Sequence, residues 1–365
     1  MPDPNLLNIS VTRPFLPPVS EVEGLIRGGF RRNHLTNHGP LYTELNQLLE
    51  SRSSLHHAYV SNGTISLQLL LKSLGCSGEI VTTPFSYVAT TTAILWEGGT
   101  PVFADIDPST CNASPQAVER AIGPNTKGIL LTHVYGIPCD VEALEKIAEK
   151  HGIWLVFDAA HAFDVKYKGK SLFSYGTAAS ASYHATKIFH TVEGGGVYSK
   201  DAELMRAVRQ LMNFGHTSPE TFDVPGINAK NSEFHAAMGL SVLPHMEYII
   251  ARRKAISERY DAQLPKGLSR PLIPDETEYN YAYYPVFFPD EKSLLDTKAE
   301  LEKEGIGTRR YFYPSLNTLP YLTTTQPCPV AEDIASRVLC LPLYPDLSDE
   351  EQAFILRHLH RIFGA

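Results

Sequence analysis

Short apolar runs alternate with helical stretches between residues 57 and 200, and this alternation constrains the fold more than any other feature of the sequence. The runs lie at 57–61, 79–83, 101–105, 128–134, 154–158, 179–183 and 196–199, and helical segments such as 64–74, 114–122 and 140–150 separate most of them. Strands that alternate with helices in this way form a mainly parallel sheet with helices on both faces. We therefore predict an α/β fold, in which the pattern alone does not order the strands.

One lysine, Lys187, lies in a polar turn between the last two runs, and Gly194, Gly195 and Gly196 close that turn. Three successive glycines let the backbone adopt positive φ angles and let another group approach closely. Burial lowers the pKa of a lysine and makes its amine a nucleophile for a carbonyl group. Because loop lysines are more often solvated, the prediction of a reactive lysine depends on the residues upstream.

Two upstream features support a reactive site. Asp158 ends the continuous apolar run 154–157, which is typical of a strand buried on both faces. A carboxylate at that end of a parallel strand points into the crevice where α/β proteins bind ligands. The turn Ser61-Asn62-Gly63-Thr64 opens a helix with leucines on one face, and its N–H groups and hydroxyls make a site for a phosphate. A phosphate site, a buried aspartate and a loop lysine together suggest pyridoxal phosphate, which needs a phosphate cradle, a protonated pyridine nitrogen and a Schiff-base lysine.

Longer motifs extend over most of the chain. They are Ser61-Asn62-Gly63-Thr64, Pro84-Phe85-Ser86-Tyr87-Val88-Ala89-Thr90, Pro101-Val102-Phe103-Ala104-Asp105-Ile106-Asp107, Val134-Tyr135-Gly136, Asp158-Ala159-Ala160-His161, Ser182-Tyr183-His184-Ala185-Thr186-Lys187, Glu193-Gly194-Gly195, Gly226-Ile227-Asn228 and Leu341-Pro342-Leu343-Tyr344-Pro345. In sequence and order they resemble the DegT/DnrJ/StrS family of sugar-nucleotide aminotransferases. The resemblance implies an aspartate aminotransferase-like fold (fold type I) with a mixed, mostly parallel seven-stranded sheet and a smaller α+β C-terminal domain. We expect residues 1–245 to form the N-terminal arm and large cofactor-binding domain, and residues 246–365 the small domain.

The resemblance also implies roles for individual residues. Lys187 and Asp158 are the expected catalytic residues, as the Schiff-base lysine and the partner of the pyridine nitrogen. Tyr87 is expected to stack on the cofactor ring, and His161, where the family more often has glutamine, to bond the ring hydroxyl. Ser182 is expected to bind the cofactor phosphate. The full set of predicted cofactor-binding residues is Asn62, Gly63, Thr64, Tyr87, Asp158, His161, Ser182, Lys187 and Asn228.

Other candidates concern the substrate and a second subunit. Asn228 matches a family asparagine that reaches the other subunit's phosphate across a dimer interface, although Ala229 and Lys230 replace the Tyr-Arg that usually follows. Substrate-binding candidates are Thr36 and Asn37, His184, and Arg310 and Tyr313 in a segment that resembles the lining of the substrate entrance. Arginines there pair with a diphosphate or a carboxylate. An ordinary surface loop and surface arginines are the alternative interpretations.

Composition excludes several classes of function. A formal net charge of −8 without a long basic run argues against nucleic acid as a partner. There is no apolar stretch of membrane-spanning length and no signal-like start, so we expect no membrane association and a cytoplasmic location. The five cysteines are odd in number and widely spaced, which fits a reducing compartment, and the histidines lack metal-ligand spacing, so we expect no metal.

Outside the alternating region, the pattern predicts helices at 19–29, up to about residue 50, at 202–216 and at 234–263. In the C-terminal part it predicts strands at 281–288 and 307–313, and helices at 291–304, 329–338 and 348–362.

The predicted function is a pyridoxal-phosphate aminotransferase that converts a keto-deoxysugar nucleotide, favoured as dTDP-4-keto-6-deoxyglucose, to the amino sugar with glutamate as donor. We expect a homodimer with shared active sites. C4 amination is favoured over C3 because His190 resembles the viosamine-forming type. The alternatives are a 3-keto sugar nucleotide aminotransferase, another enzyme of the same fold such as a desulfurase or an aldolase, and a non-catalytic regulatory protein. In a desulfurase Cys328 or Cys340 would be the nucleophile. Lys187 speaks against the family's dehydratases, which have histidine there.

Overall fold

The secondary structure follows the alternation in the sequence. The computed structural model describes residues 8–323 and 326–363. Its strands are β1 (His56–Val60), β2 (Glu79–Thr82), β3 (Thr100–Phe103), β4 (Thr126–Thr132), β5 (Trp154–Asp158), β6 (Lys166–Tyr167), β7 (Lys170–Ser171), β8 (Ala178–Ser182), β9 (Gly195–Ser199), β10 (His216–Ser218), β11 (Thr221–Phe222), β12 (Thr277–Glu278), β13 (Tyr284–Phe287) and β14 (Val338–Leu341). Its α-helices are α1 (Val19–Arg32), α2 (Pro40–Ser53), α3 (Gly63–Leu74), α4 (Ala89–Trp96), α5 (Pro115–Ala121), α6 (Val141–His151), α7 (Ala202–Leu211), α8 (Glu233–Val242), α9 (Met246–Gln263), α10 (Glu291–Lys303), α11 (Pro329–Arg337) and α12 (Asp349–Phe363).

The main sheet has seven strands in the order β1-β9-β8-β5-β4-β2-β3. β9 runs antiparallel to both of its neighbours, and the remaining pairs are parallel. The prediction of a mixed, mostly parallel seven-stranded sheet is therefore confirmed, and the seven predicted runs are its seven strands. Register places Asp158 between Thr132 of β4 and Ser180 of β8, at the carboxyl edge of the sheet.

Both faces of this sheet are buried, as the continuous apolar runs indicate. In β5, Leu155 and Phe157 pack into one hydrophobic cluster, and Val156 between them packs into the cluster on the opposite face. This follows from the two-residue period of a strand. None of the helices within the described part of the chain has the length and apolar character needed to cross a membrane.

A third hydrophobic cluster gathers residues from the C-terminal helices, β13 and β14, together with Ile9 from the N-terminal arm. Helix α9 belongs to two of the hydrophobic clusters. Met246 and Ile249 pack into the cluster that contains Leu155 and Phe157 of β5, and Ile256 and Tyr260 pack into the third cluster. The division of the chain at residue 245 stays a prediction.

Three predicted elements differ from the structure. The helix predicted at 202–216 ends at Leu211, because the chain turns at Gly215 into the β10–β11 hairpin. The helix predicted at 234–263 is two helices joined by a 3₁₀ turn at Leu243–His245, where Pro244 lacks a backbone donor. The strand predicted at 307–313 is wrong. Only Arg309 makes a bridge, to Cys340, and the partner of β13 is instead β14.

Candidate active site

A cavity of about 670 Å³ lies at the carboxyl edge of the sheet. Nine of the residues predicted from the sequence line it, namely Asn62, Gly63, Thr64, Tyr87, Asp158, His161, Ser182, His184 and Lys187. The cavity is also lined by residues that were not among the predicted site residues, including Ser86, Glu193, Tyr283, Arg309, Tyr311 and Phe312. The sequence thus located the sheet side of the cavity and one C-terminal segment that lines it. Within that segment Arg310 and Tyr313 were selected, whereas Arg309, Tyr311 and Phe312 line the cavity.

Asp158 is held by hydrogen bonds at the end of β5. One carboxylate oxygen accepts a 2.7 Å bond from the hydroxyl of Thr90, and the other accepts a 3.1 Å bond from the backbone N–H of Ala160. The hydroxyl of Ser86 lies 2.8 Å from those of both Thr90 and Thr132, which extends a buried hydroxyl chain behind the carboxylate. Burial raises the pKa of Asp158, and the bonds from Thr90 and Ala160 and the charge of Lys187 oppose that rise. The carboxylate is therefore fixed in orientation where it faces the cavity.

Lys187 projects from the loop between β8 and β9. The loop is anchored by the buried side chains of Ile188 and Phe189, and the Nζ atom of Lys187 donates a 3.2 Å hydrogen bond to the hydroxyl of Tyr283. Burial lowers the pKa of Lys187 to about 8, although Asp158 opposes the change. A lysine with such a pKa is about one-tenth uncharged at pH 7, far more than a lysine of ordinary pKa, and the uncharged amine is what a nucleophile or general base requires.

The start of α3 can accept an anion. The side chain of Asn62 caps the helix by accepting a 2.9 Å bond from the N–H of Ile65. The N–H groups of Gly63 and Thr64 precede the first intrahelical bond and have no partner within the helix. Ser182 stands beside them, since a Cβ atom added to Gly63 would lie 2.9 Å from the Cβ of Ser182. Two open N–H groups at a helix N-terminus and two hydroxyl side chains suit a phosphate group.

The glycines that close the lysine loop let the backbone of β9 lie very close to the backbone at the start of α3. A Cβ atom on Gly195 would lie 2.5 Å from the carbonyl oxygen of Asn62, so only glycine lets β9 pass behind the start of α3. Of the two properties that successive glycines allow, the structure uses close approach, because none of these three has a positive φ and Val192 of the same loop has one of 67°.

His161 stands in an aromatic wall. Its ring stacks on that of Phe312 with 5.6 Å between centroids, and it meets the ring of Tyr283 edge-on at 4.9 Å. Burial lowers the pKa of His161 well below its ordinary value, which makes the imidazole neutral. Its Nδ1 atom is buried and has no hydrogen-bond partner among the described residues, an arrangement that costs free energy unless a ligand supplies the partner. Tyr87, by contrast, is 55% exposed on the rim.

The two neighbouring arginines of the C-terminal segment point in different directions. Arg310 bonds Glu291 at 2.7 Å and the carbonyl of Ser336 at 2.9 Å, and its guanidinium lies 3.5 Å from the ring centroid of Tyr313. Arg309 instead lines the cavity. The structure gives Arg310 and Tyr313 contacts within the small C-terminal part, and their predicted contact with substrate gains no support from it.

Thr36, Asn37 and Asn228 are exposed and do not line the cavity of their own chain. Glu233 connects the two loops that carry them. Its buried carboxylate accepts bonds from the first N–H groups of α2, including one of 2.8 Å from Tyr42, and its own N–H bonds the carbonyl of Leu35 at 3.0 Å. The loops at 33–40 and 226–233 therefore form one continuous surface outside the cavity.

The cysteines do not contribute a nucleophile to this cavity. All five thiols are buried and unpaired, and none of them lines it. Burial raises the pKa of each, so the thiolate is disfavoured. This argues against the desulfurase alternative.

Comparison with known proteins gives one consistent result. The family described as "DegT/DnrJ/EryC1/StrS aminotransferase family" matches residues 21–360. The chain is 37% identical to the dTDP-4-amino-4,6-dideoxy-D-glucose transaminase of Escherichia coli, over 94% of this chain and 95% of that protein. It is 35% identical to the enzyme of the same name from Shigella dysenteriae, over 97% and 99% of the two chains. Among solved structures, that of DesI in the presence of its TDP-sugar product is similar, with a TM-score of 0.92, 34% identity and coverage of 98% of this chain and 94% of that one.

Proposed function

The chain belongs to the DegT/DnrJ/EryC1/StrS aminotransferase family and is a sugar-nucleotide aminotransferase, and we propose that it transfers an amino group from glutamate to C4 of dTDP-4-keto-6-deoxyglucose with pyridoxal phosphate as cofactor. The observation that carries this proposal is the convergence of Lys187, Asp158 and the open start of α3 on one cavity.

The residues present fit pyridoxal phosphate. Gly63, Thr64 and Ser182 form a cradle that takes a phosphate, and the unpartnered Nδ1 of His161 suits the ring hydroxyl. Asp158 lies deep in the cavity, where it would meet the pyridine nitrogen. When bound, the cofactor supplies an electron sink for removal of a proton from the carbon that carries the amine.

The chain's own residues then have separable tasks. Lys187 would hold the cofactor in the resting enzyme and, once its amine is released, move the proton as general acid and base, for which a pKa of about 8 is suited. Asp158, oriented by Thr90, would hold the proton on the pyridine nitrogen. Tyr283 and Phe312 would shield the site from water.

The choice of substrate is supported by the relatives. The similar enzymes of Escherichia coli and Shigella dysenteriae are named for the 4-amino sugar, and DesI was crystallised with a TDP-sugar product. His190 supports C4 amination less than its sequence context suggests, because its ring is buried and bonds the carbonyl of Phe15 at 2.8 Å rather than lining the cavity. His190 therefore holds the N-terminal arm and would influence regiochemistry only indirectly.

We also propose a homodimer, in which Asn228 of each subunit contacts the cofactor phosphate of the other. The loops at 33–40 and 226–233 carry the exposed apolar side chains Leu35 and Ile227. The adjoining helices α1 and α8 add the exposed edge-to-face pair Phe30–Phe234, whose ring centroids lie 5.9 Å apart. An exposed apolar surface of this kind is typical of a subunit interface. We propose a cytoplasmic reaction, which suits five unpaired thiols.

The deciding experiment incubates the purified enzyme with glutamate and a panel of 3-keto and 4-keto nucleotide sugars, with products read by mass spectrometry and NMR. The expected product carries its amine on C4. Turnover only with 3-keto sugars would show that the amine is added at C3 instead of C4, and the enzyme would still be an aminotransferase. Borohydride reduction should fix pyridoxal phosphate to Lys187, and absence of any bound cofactor would favour the non-catalytic alternative.

A further inference from the structure

Arg253 is a buried arginine that binds backbone carbonyls rather than a carboxylate. The residue lies in α9 and is 2% exposed, and its Nη1 atom donates hydrogen bonds of 3.3 Å to the carbonyl of Tyr281 and of 3.2 Å to that of Ala282. Its Nε atom is buried and has no partner among the described residues. Burial lowers the pKa of Arg253 to about 10, and a buried guanidinium costs free energy unless its groups are paired. The two carbonyls are therefore the groups that hold this cation in the core.

These carbonyls belong to a short segment with an unusual backbone. Tyr281 has a φ of 55°, in the left-handed region that residues other than glycine seldom adopt, and such a conformation persists only where surrounding contacts hold it. Asn280 supplies one set of contacts, because its amide group donates 2.8 Å bonds to two carbonyls of the loop after β5 and accepts a 3.1 Å bond from the N–H of Ala282. Arg253 supplies the other set, and the carbonyls of Tyr281 and Ala282 have no other donor within the described part of the chain. The segment is thus held between the loop after β5 and α9.

Tyr283 follows this segment directly and lines the cavity. The carbonyl of Ala282 and the nitrogen of Tyr283 belong to the same peptide group, and because that group is planar and rigid, a contact that fixes the carbonyl also fixes the nitrogen. The hydroxyl of Tyr283 accepts the 3.2 Å bond from Nζ of Lys187. Burial raises the pKa of Tyr283, and the charge of Arg253 opposes that rise, so Arg253 lies within electrostatic range of this side chain.

We propose that Arg253 is a positioning residue of the active site, which fixes Tyr283 through the carbonyls of Tyr281 and Ala282 and thereby sets where the amine of Lys187 lies. The inference rests on the function proposed above, because it concerns the reaction of that amine. Arg253 does not line the cavity, so it acts through the segment that it holds. A displacement of about 1 Å in a reacting group is enough to slow a reaction by about 100-fold, so a backbone contact of this kind has kinetic consequences.

The test follows how the full-length enzyme, freed of cofactor, takes up pyridoxal phosphate, because this reaction uses Lys187 and needs no substrate. Stopped-flow absorbance at several cofactor concentrations separates initial binding from the first-order formation of the bond to Lys187. Arg253→Met removes both hydrogen bonds but keeps an apolar stem, and it should slow bond formation by about 10-fold. Initial binding depends on the start of α3 and on Asp158, so it should stay within about threefold of the wild type. The affinity for 4′-deoxypyridoxine phosphate, which has no aldehyde to react with a lysine, should also stay within about threefold.

A double-mutant cycle tests whether Arg253 acts through Tyr283. In the Tyr283→Phe background the contact with Lys187 is already absent, so Arg253→Met should slow bond formation by less than about threefold. Arg253→Lys retains a donor that can reach a carbonyl and should recover part of the loss. If the methionine variant does not fold, the lysine variant carries the same cycle, with a smaller loss in the wild-type background and none in the Tyr283→Phe background.

Arg252, the preceding residue of α9, is the matched control. Its guanidinium also donates to two carbonyls, those of Pro345 and Leu347, each at 3.3 Å, and neither of these residues lines the cavity. Arg252→Met removes the same kind of contact from the same helix. It should lower the free energy of unfolding in urea, while the rate of bond formation with Lys187 stays within about twofold of the wild type.

Three results would overturn the inference. One is an unchanged rate of bond formation in Arg253→Met. Another is an equal loss in the wild-type and Tyr283→Phe backgrounds, which would show that Arg253 does not act through Tyr283. The third is an equal slowing in Arg252→Met, which would assign the effect to general loosening of the packing around α9. Failure of the proposed function is distinguishable, because the wild-type enzyme would then take up no pyridoxal phosphate or show no glutamate-dependent change in its absorbance, and the inference would fall with it.

Discussion

The Nζ atom of Lys187 lies 3.2 Å from the hydroxyl of Tyr283, a residue 96 positions later in the chain. The segment that carries Tyr283 is itself fixed to the loop that follows β5, because the side chain of Asn280 donates 2.8 Å bonds to the carbonyls of both His161 and Phe163. The position of the reactive amine thus depends on a segment that packs beside the C-terminal elements, and movement of that segment would move the amine.

Tyr283→Phe should lower kcat about 10-fold, because Lys187 loses the hydrogen bond that orients its amine while the aromatic wall beside His161 is retained. Cofactor content, measured by absorbance, should stay unchanged. Tyr344→Phe is the matched control, since the buried hydroxyl of Tyr344 has no partner among the described residues. A Tyr283→Phe enzyme with wild-type kcat would show that the contact does not position the lysine.

The lowered pKa of Lys187 predicts how stability depends on pH. In the cofactor-free protein the folded state releases its proton near pH 8, while the unfolded chain keeps it to about the ordinary value of 10.5. The unfolded state therefore binds more protons in this window, and the free energy of unfolding should rise with pH across it. Lys187→Met removes this contribution. The difference in unfolding free energy, wild type minus Lys187→Met, should increase from about pH 8 to about pH 10 in urea titrations. A constant or falling difference would contradict the pKa.

Thr90→Val should impair the enzyme through Asp158. The substitution keeps the shape of the side chain but removes the donor of the 2.7 Å bond, so the buried carboxylate loses a hydrogen bond that favours its charged form. We expect kcat to fall by about 10-fold or more and the cofactor to bind more weakly. Thr90→Ser restores the hydroxyl and should recover most of both. Equal losses in the valine and serine variants would point to packing rather than to the hydrogen bond.

Asp158→Asn should keep the fold but lose most turnover, because an amide cannot hold a proton on the pyridine nitrogen as a carboxylate does. The loss should exceed that of Thr90→Val, which acts only through Asp158. Circular dichroism tests the fold and steady-state kinetics the turnover. An Asp158→Asn enzyme that outperforms Thr90→Val would place the essential group elsewhere.

The sequence predicted the sheet and one side of the cavity for definite physical reasons. Buried strands must be apolar on both faces, so Trp154–Asp158 is visible as a continuous run, and helix starts and strand ends carry polar residues that can be located by position. Tyr283 was missed because it comes from a later segment, and no local pattern shows which sheet residues it will contact. Arg309 and Phe312 lie in the segment that was expected at the substrate entrance, but its sequence does not show which of its side chains face the cavity.

Local ambiguity accounts for the other differences. The run Val338–Leu341 follows α11 without a glycine or proline, so its start was assigned to the helix. Of two adjacent arginines in a nearly extended segment only one is expected to face the cavity, and the sequence does not say whether it is Arg309 or Arg310.

The proposed shared sites can be tested by complementation between two inactive variants. Asn228→Ala would lack the residue donated to the partner's site, and Lys187→Ala would lack the reactive amine of its own site. A hybrid of the two chains contains one site with Lys187 from one subunit and Asn228 from the other, and one site that lacks both. Random exchange makes half of the dimers hybrids, so an equal mixture should recover about a quarter of wild-type activity if each variant alone is inactive. The control is the double variant mixed with wild type, in whose hybrids each site has lost one of the two residues, so that only the wild-type homodimers should be active. Activity that never exceeds the sum of the two variants measured separately, or a fully active monomer in sedimentation, would rule out sites shared through Asn228.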